Sequence, residues 1–169
     1  MKAECRLSAR GLPCDDSAPT TGVQGLVRFE SSRNGTTIIT YRIEGLTPGE
    51  HGFHIHEFAD FSEGCVSAGP HYNPHNLKHG APASRQRHVG DLGNVFANSN
   101  GVASGRLVEA TVLLHGPTSV LGRSVVVHAD RDDLGLGGHE LSCTTGNAGS
   151  RVACGEIMEV REEEPHSRL

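Results

Sequence analysis

Histidines are concentrated in one stretch of the sequence. Seven of the eleven histidines lie within the forty-one residues from His51 to Asp91. Successive side chains of a β-strand point to opposite faces, so His54 and His56 would present both imidazoles on one face. Taken alone, such a pair is compatible with two ordinary strand histidines. Its many histidine neighbours favour a metal site, because neutral imidazole is a good ligand for copper and zinc.

The candidate ligands are the imidazoles and one carboxylate of this stretch, together with a histidine that ends a later run of valines. They are His54, His56, His71, His75, His79, His88, Asp91 and His128. His128 points away from the face of Val127, so it is expected beside His54 and His56 on a neighbouring strand. A carboxylate such as Asp91 can complete a tetrahedral zinc site.

Short strands are the elements expected to position these residues. The 22 glycines, eight prolines, absent tryptophan and short Val/Ile/Thr runs between turn signals favour an all-β sandwich or barrel. Eight strands are predicted at 2–8, 23–31, 36–45, 52–57, 93–97, 102–108, 122–129 and 152–160. In the third strand, Ile39, Tyr41 and Ile43 are expected on one face. Long segments at 59–92 and 130–150 carry most of the polar candidates, and long loops in a compact domain are usually functional.

Charge and composition exclude several classes of partner. A formal charge of −5 argues against nucleic acid and against an anionic membrane surface. No apolar run is long enough to cross a bilayer, and residues 1–10 lack the apolar stretch of a signal peptide, so a cytoplasmic protein is expected. Five cysteines are an odd number, so at least one thiol is expected to be free.

Several blocks of the sequence resemble the copper/zinc superoxide dismutase family. They are Gly52-Phe-His-Ile-His-Glu57, Gly64-Cys-Val-Ser-Ala-Gly-Pro-His71, Lys78-His-Gly80, Arg87-His-Val-Gly-Asp-Leu-Gly-Asn94, Gly122-Arg-Ser-Val-Val-Val-His128 and Gly146-Asn-Ala-Gly-Ser-Arg-Val-Ala-Cys-Gly155. Motifs that match in the same order make a chance match negligible. The resemblance implies an eight-stranded antiparallel Greek-key sandwich or barrel, immunoglobulin-like, with long metal-binding and electrostatic loops. This domain would fill residues 1–160 and be followed by a charged tail at 161–169.

The resemblance also implies a role for each matched residue. One copper per chain would be bound by His54, His56, His71 and His128, and one zinc by His71, His79, His88 and Asp91. His71 would bridge both ions through its two nitrogens. Asp132 would link a copper histidine to a zinc histidine, Arg151 would dock the substrate anion, and Thr145 would narrow the channel. Cys65 and Cys154 would form a disulfide.

The implied activity is the dismutation of superoxide to dioxygen and hydrogen peroxide, in which Arg151, His71 and Thr145 act on the substrate. The alternative is a copper-delivery protein with a dismutase-like domain. Such chaperones carry a C-x-x-C head and a C-x-C tail, and the sequence has neither motif. A protein that only buffers metal would not need Arg151 or the shared His71.

The sequence departs from the family pattern around the channel and at the family's dimer interface. Asp130, Leu136 and Thr144 stand where members often have lysines, with Arg131 as the nearby cation, so weaker attraction of the anion is expected. The family implies a homodimer and loading by a copper chaperone. Positions that are commonly apolar at the family's dimer interface are occupied in this sequence by charged residues, namely Glu4, Arg6, Glu156 and Glu159. This difference predicts a weaker or ion-paired dimer.

Two further segments carry open alternatives. The segment 8–22 is longer than usual and contains Cys14, which is free or pairs with Cys143; Cys5 is the remaining cysteine. The final Ser167-Arg168-Leu169 resembles a peroxisomal targeting tripeptide, so peroxisomal import is the alternative to the cytoplasm.

Overall fold

The computed structural model describes residues 1–9 and 22–161, and within them the chain forms nine β-strands. These are β1 (Lys2–Leu7), β2 (Gln24–Ser31), β3 (Thr37–Glu44), β4 (Gly49–His56), β5 (Ser62–Cys65), β6 (Asp91–Ala97), β7 (Ala103–Glu109), β8 (Ser124–His128) and β9 (Arg151–Glu159). All eight predicted strands are present, with ends that differ by a few residues. Only β5 lies where the sequence predicted a loop. Its four residues are too few to show a periodic pattern.

Eight of the strands form one antiparallel sheet in the order β6-β4-β8-β9-β1-β2-β3-β7. The two edge strands, β6 and β7, are consecutive in the chain and lie in contact, so the sheet curls into a nearly closed barrel. This arrangement is consistent with the Greek-key barrel that the sequence predicted. The described part of the chain contains no helix with the length and apolarity needed to cross a membrane.

The barrel interior is filled by the inward residues of the alternating strands. In β3, Ile39 and Ile43 are fully buried and Tyr41 is partly buried, so the predicted face is confirmed. Phe29 and Phe53 are the largest side chains of the core. Their burial favours folding, because each removes a large apolar area from water.

Strand β4 is buried on both faces, which explains why its sequence lacks an alternation of polar and apolar residues. Every residue from His51 to His56 is buried. The long segments before β6 and after β8 cover its outer face. Ile55 N–H donates to the carbonyl of Gly90, and Gly52 N–H donates to that of Asp130. Polar side chains on this face are therefore enclosed between the sheet and two loops.

A disulfide attaches the first of these loops to the barrel. Cys65 at the end of β5 is bonded to Cys154 in β9, 89 residues further along the chain, as the family resemblance implied. The bridge packs in a small apolar cluster with Ala68, Val126 and Phe61. It holds the chain segment that precedes His71 against the sheet.

Candidate metal centre

Three strand histidines and one loop histidine meet on the covered face of the sheet. His54 and His56 lie on β4, and β8 pairs with β4 so that its last residue, His128, reaches the same face. A bridge between His56 and His71 brings in the loop histidine. The Nε2 atoms of His56 and His128 lie 3.3 Å apart. One ring nitrogen from each of these four residues lies within 4.8 Å of the others.

Hydrogen bonds define which nitrogen each strand histidine offers. His56 Nδ1 donates to the carbonyl of Gly69 at 2.8 Å, and His128 Nδ1 donates to that of Gly149 at 3.1 Å. Both residues therefore present Nε2 to the group. His54 Nε2 donates to a carboxylate at 2.7 Å and so presents Nδ1. Partners of this kind fix the tautomer and orientation of a metal-binding imidazole.

A second group surrounds one oxygen of Asp91. Its Oδ1 lies 2.9 Å from Nδ1 of His71, 2.9 Å from Nδ1 of His79 and 3.1 Å from Nδ1 of His88. Bonds of 2.0–2.1 Å to a tetrahedral zinc would separate its donors by roughly 3.3 Å, which is close to these spacings. Asp91 Oδ2 accepts from the backbone N–H groups of Gly80 and His88. The carboxylate is thus held with Oδ1 facing the three imidazoles.

Buried nitrogens without a hydrogen-bond partner indicate whether the two groups suit metal ions. His54 Nδ1, His71 Nε2 and His79 Nδ1 are buried without a hydrogen-bond partner. His79 Nδ1 is close to Asp91 Oδ1, but the contact lacks hydrogen-bond geometry. A buried polar atom without a partner costs about 1–3 kcal/mol, so three in one cluster call for a ligand. The imidazole set fits copper, and the set of three imidazoles and one carboxylate fits zinc.

His71 belongs to both groups. Its Nδ1 faces Asp91 Oδ1, whereas Nε2 is the nitrogen left without a partner. The ring centroid lies 4.0 Å from that of His54 and 5.3 Å from that of His88. One imidazole therefore separates the two clusters and offers a nitrogen to each, which supports the expectation that it bridges two ions.

Asp132 joins the two groups on their other side. Its Oδ2 accepts from His54 Nε2 and its Oδ1 from His79 Nε2, each at 2.7 Å, and the carboxylate is fully buried. Its predicted place between a copper histidine and a zinc histidine agrees with these contacts. Because one carboxylate orients one ligand from each group, displacement of Asp132 would disturb both.

Two residues that support Asp132 were not assigned from the sequence. Asn94 exchanges two hydrogen bonds with its backbone, at 2.7 and 2.9 Å. Gly146 has a φ of +70°, and a Cβ there would clash with Asp132 Oδ1. Both residues lie inside blocks that resemble the family, and this position was the signal by which the sequence could have indicated them. Their roles depend on a contact between loops far apart in sequence.

Burial and charge set the protonation states of the two groups. Burial, reinforced by neighbouring histidines, lowers the pKa values of His54 and His56 well below the usual range. Burial likewise lowers the pKa of His128 to about 4. Burial also tends to lower the pKa of His79, but the hydrogen bond to Asp132 and the negative charges of Asp132 and Asp91 outweigh burial and raise this pKa to about 9. Most ligands are therefore neutral near pH 7, whereas a metal must displace a proton from His79.

Arg151 is a cation beside the first group. It begins β9, and its guanidinium donates to the carbonyls of Cys65 at 2.9 Å and Val66 at 3.2 Å. Its charge helps to lower the pKa values of His56 and His128, after the larger effects of burial and neighbouring groups. The half-buried guanidinium is thus held in place beside the imidazoles, as an anion-binding role requires.

The other predicted channel residues carry no further positive charge. The Thr145 hydroxyl contacts the carbonyl of Leu141 at 3.3 Å, so it is held within its own loop. Asp130 is exposed, and Leu136 is 84% exposed. Arg131 is paired with Glu50 at 2.7 Å, which neutralises the cation that replaces the family's lysines.

One candidate ligand, His75, belongs to neither donor group and is exposed. His115 and His139 are exposed as well, and among the described residues Cys5 and Cys143 are free. The proposed pairing of Cys14 with Cys143, the tail and the C-terminal tripeptide fall outside the described residues.

An antiparallel barrel with two buried donor groups joined by a shared histidine defines a two-metal protein. Comparison with known proteins agrees: residues 23–157 match the family model described as "Copper/zinc superoxide dismutase (SODC)". The chain is also 56% identical over 140 residues to "Superoxide dismutase [Cu-Zn] 3" of Arabidopsis thaliana, covering 83% of this chain and 85% of that protein. This chain belongs to the copper/zinc superoxide dismutase family, which uses copper and zinc.

Proposed function

We propose that this protein is a superoxide dismutase that binds one copper and one zinc. The observation that carries the proposal is the place of His71 between two buried donor groups, with Arg151 beside one of them. The copper ligands would be His54, His56, His71 and His128, and the zinc ligands His71, His79, His88 and Asp91. Overall, two superoxide anions and two protons give one dioxygen and one hydrogen peroxide.

Copper would supply the one-electron redox chemistry, and the protein would position the substrate. His54, His56, His71 and His128 would hold the copper, and the zinc held by His71, His79, His88 and Asp91 would supply charge without redox change. Arg151 would hold the anion, because its guanidinium is fixed by two carbonyls and retains donors for a ligand. Thr145 would limit the width of the approach. Arg151 is half-buried, and the low dielectric constant of the surrounding protein strengthens its attraction for an anion.

His71 is proposed to carry a proton as well as to bridge. Its Nε2 is buried and has no protein partner, so a proton held there would be available to a substrate bound beside the copper ligands. Nδ1 remains oriented by Asp91, which keeps the ring in place while Nε2 changes partner. Asp132 would hold His54 and His79 in position throughout.

A copper-delivery role is not favoured. Among the described residues the free thiols are Cys5, which is buried, and Cys143, which is exposed. Burial raises the pKa of Cys5 to about 12, so it is not an available thiolate. A single exposed thiol does not provide the cysteine pair that passes copper between proteins.

The partners and compartment are also proposals. We infer self-association into a homodimer and loading by a copper chaperone. The cytoplasm is the proposed compartment, and peroxisomal import through Ser167-Arg168-Leu169 is the alternative. Comparing fluorescent fusions that end in the intact tripeptide or lack Leu169 distinguishes them. Diffuse signal from both fusions would exclude import.

Metal content measured together with superoxide consumption tests the main proposal. The purified protein should hold copper and zinc in equal amounts and lose its activity when copper is removed by a chelator. Replacement of the exposed His75 by alanine is a matched control, and it should change neither quantity. A fully metallated protein that does not consume superoxide would contradict the proposal.

A further inference from the structure

Arg123 makes a set of contacts at the edge of the metal centre, although it belongs to neither donor group. It directly precedes β8, and its side chain is partly buried. Its Nε donates to the carbonyl of Ser119 at 3.1 Å, and its Nη1 donates to that of Glu57 at 3.0 Å. Its guanidinium carbon lies 3.6 Å from the centre of the Tyr72 ring, which is a cation–π contact. Two carbonyls and one aromatic face therefore hold the guanidinium in place.

Two of these partners are direct neighbours of candidate copper ligands. Glu57 follows His56 in the sequence, and Tyr72 follows His71. His56 and His71 are paired by an antiparallel bridge, and the centroids of their rings are 4.9 Å apart. Arg123 thus contacts both of the chain segments that bring these two histidines together.

A proline explains why a side chain is needed at this place. Next to the bridge, the N–H of Glu57 donates to the carbonyl of Pro70 at 2.9 Å. In an antiparallel pair such a bond is normally returned by the N–H of the opposite residue, but proline has no N–H. The Glu57 carbonyl accepts from Arg123 instead. The guanidinium therefore completes the pairing of the two segments.

The ring of Tyr72 gives Arg123 a second hold on the segment that carries His71. Tyr72 is buried, its N–H donates to the carbonyl of Ile55 at 2.8 Å, and its carbonyl accepts from the N–H of Gly90 at 3.0 Å. The guanidinium is planar, so it can cover the ring with one face while it donates to two carbonyls. A lysine ammonium has no such face and no fork of donors.

We propose that Arg123 is a positioning residue for the copper ligands His56 and His71. It holds their two segments in register through the Glu57 carbonyl and the Tyr72 ring. Placement of His71 depends on such a contact, because its Nε2 is buried and no hydrogen bond to the protein orients it. The inference rests on the proposed function, since it concerns the copper group of that same site.

Arg123→Lys tests this role, because the variant keeps the positive charge and loses the planar fork. The protein loaded with copper and zinc is studied by electron paramagnetic resonance and by competition with copper chelators. The Cu(II) spectrum should change, and the affinity for copper should fall about tenfold, as when a partner of a metal ligand is lost. Tyr72→Leu removes the other half of the contact and should produce the same changes. Tyr72→Phe retains the ring and should keep the parental spectrum.

The double variant Arg123→Lys/Tyr72→Leu separates a shared contact from a general loss of stability. Residues that act through one contact give effects that do not add. The double variant should therefore bind copper no more weakly than the weaker of the two single variants. Arg106→Lys, the same exchange at an exposed strand position, is the matched control and should change neither the spectrum nor the affinity.

A parental spectrum and parental copper affinity in Arg123→Lys would overturn the proposal, even if that variant unfolds more easily in denaturant. Additive effects of the two single variants would overturn it as well. Neither measurement depends on turnover, and superoxide consumption is followed separately in the same samples. A metal-loaded parent that consumed no superoxide would contradict the proposed function, and the spectra and affinities would still decide the role of Arg123.

Discussion

Arg131 Nε donates to Glu50 Oε2 across 2.7 Å, and this pair joins the loop after β8 to strand β4. Arg131 is the cation available where Asp130, Leu136 and Thr144 replace the lysines expected from the family. With the charge of Arg131 paired, we expect Arg151 to provide the main attraction for an approaching anion. The centre would then depend on one guanidinium where the family pattern often has several cations.

Release of Arg131 should accelerate capture of the substrate. Glu50→Gln removes the paired carboxylate, and a unit charge about 10 Å from the anion's path in water contributes about 0.4 kcal/mol. The second-order rate constant should rise about twofold at low salt and return to the parental value at high salt. Stopped-flow superoxide decay at several ionic strengths measures this. The matched control is Glu44→Gln, which alters another strand carboxylate far from the metal groups, and an equal rise there would contradict the explanation.

Reversal of the docking charge should have the opposite effect. Arg151→Glu replaces attraction of the anion by repulsion, so the second-order rate should fall and should increase as salt is added. Screening acts over about 10 Å at 0.1 M salt, which makes the reversed slope measurable. Metal content is determined in the same sample, so that loss of copper is not mistaken for loss of attraction. A rate unchanged at low salt would locate the guidance elsewhere.

Removal of the shared imidazole should uncouple the two metals. In His71→Ala no described side chain takes its place between the two donor groups. The copper absorption and electron paramagnetic resonance spectra should change and should no longer respond to removal of zinc. His115→Ala, at an exposed position, is the control. A variant that kept the parental spectra and their response to zinc would show that His71 does not bridge.

Removal of the charge of Asp132 should weaken both sites. Asp132→Asn leaves an amide of the same shape, whose nitrogen end cannot accept the N–H of His54 or His79. Loss of such a partner lowers metal affinity by about 10–100-fold. Competition with chelators should show this for both metals, whereas Asp60→Asn, at an exposed site, should not change either affinity. Unchanged affinity for both metals would contradict the proposed link.

The metal-free protein should lose stability as the pH falls below about 6.5. Burial lowers the folded pKa of His128 to about 4, so the unfolded chain binds a proton first and stability falls between the two values. This change corresponds to roughly 3 kcal/mol when complete. His54 and His56 act in the same direction. Denaturant unfolding of the chelated protein at pH 7 and pH 5 measures the difference, and equal stability would contradict these pKa shifts.

His79 acts in the opposite direction on the alkaline side. Its folded pKa is raised to about 9, because the hydrogen bond to Asp132 and the charges of Asp132 and Asp91 outweigh its burial. The stabilisation is therefore complete below the unfolded pKa and is lost as the pH rises toward 9. The metal-free protein should be most stable near neutral pH. In Asp132→Asn the alkaline loss should be smaller than in the parent.

The sequence by itself determined the fold class, eight of the nine strands and the identity of the candidate ligands. Strand alternation placed His54 and His56 on one face, and the spacing of residues within family-like blocks singled out His71, Asp91 and Arg151. These features are local, because they depend on the two-residue period of a strand and on residue types within short segments. Several blocks match the family in the same order along the chain, and this match extended the local features to a complete candidate site.

Only the tertiary structure decided how distant segments meet. It placed Asn94 against Asp132, required a glycine at position 146, and paired Arg131 with Glu50. Each contact joins loops or strands far apart in the chain, so no local period of the sequence records it. The charge of Arg131 is visible in the sequence, but whether that charge is free depends on the distance to its partner, which only the folded chain defines.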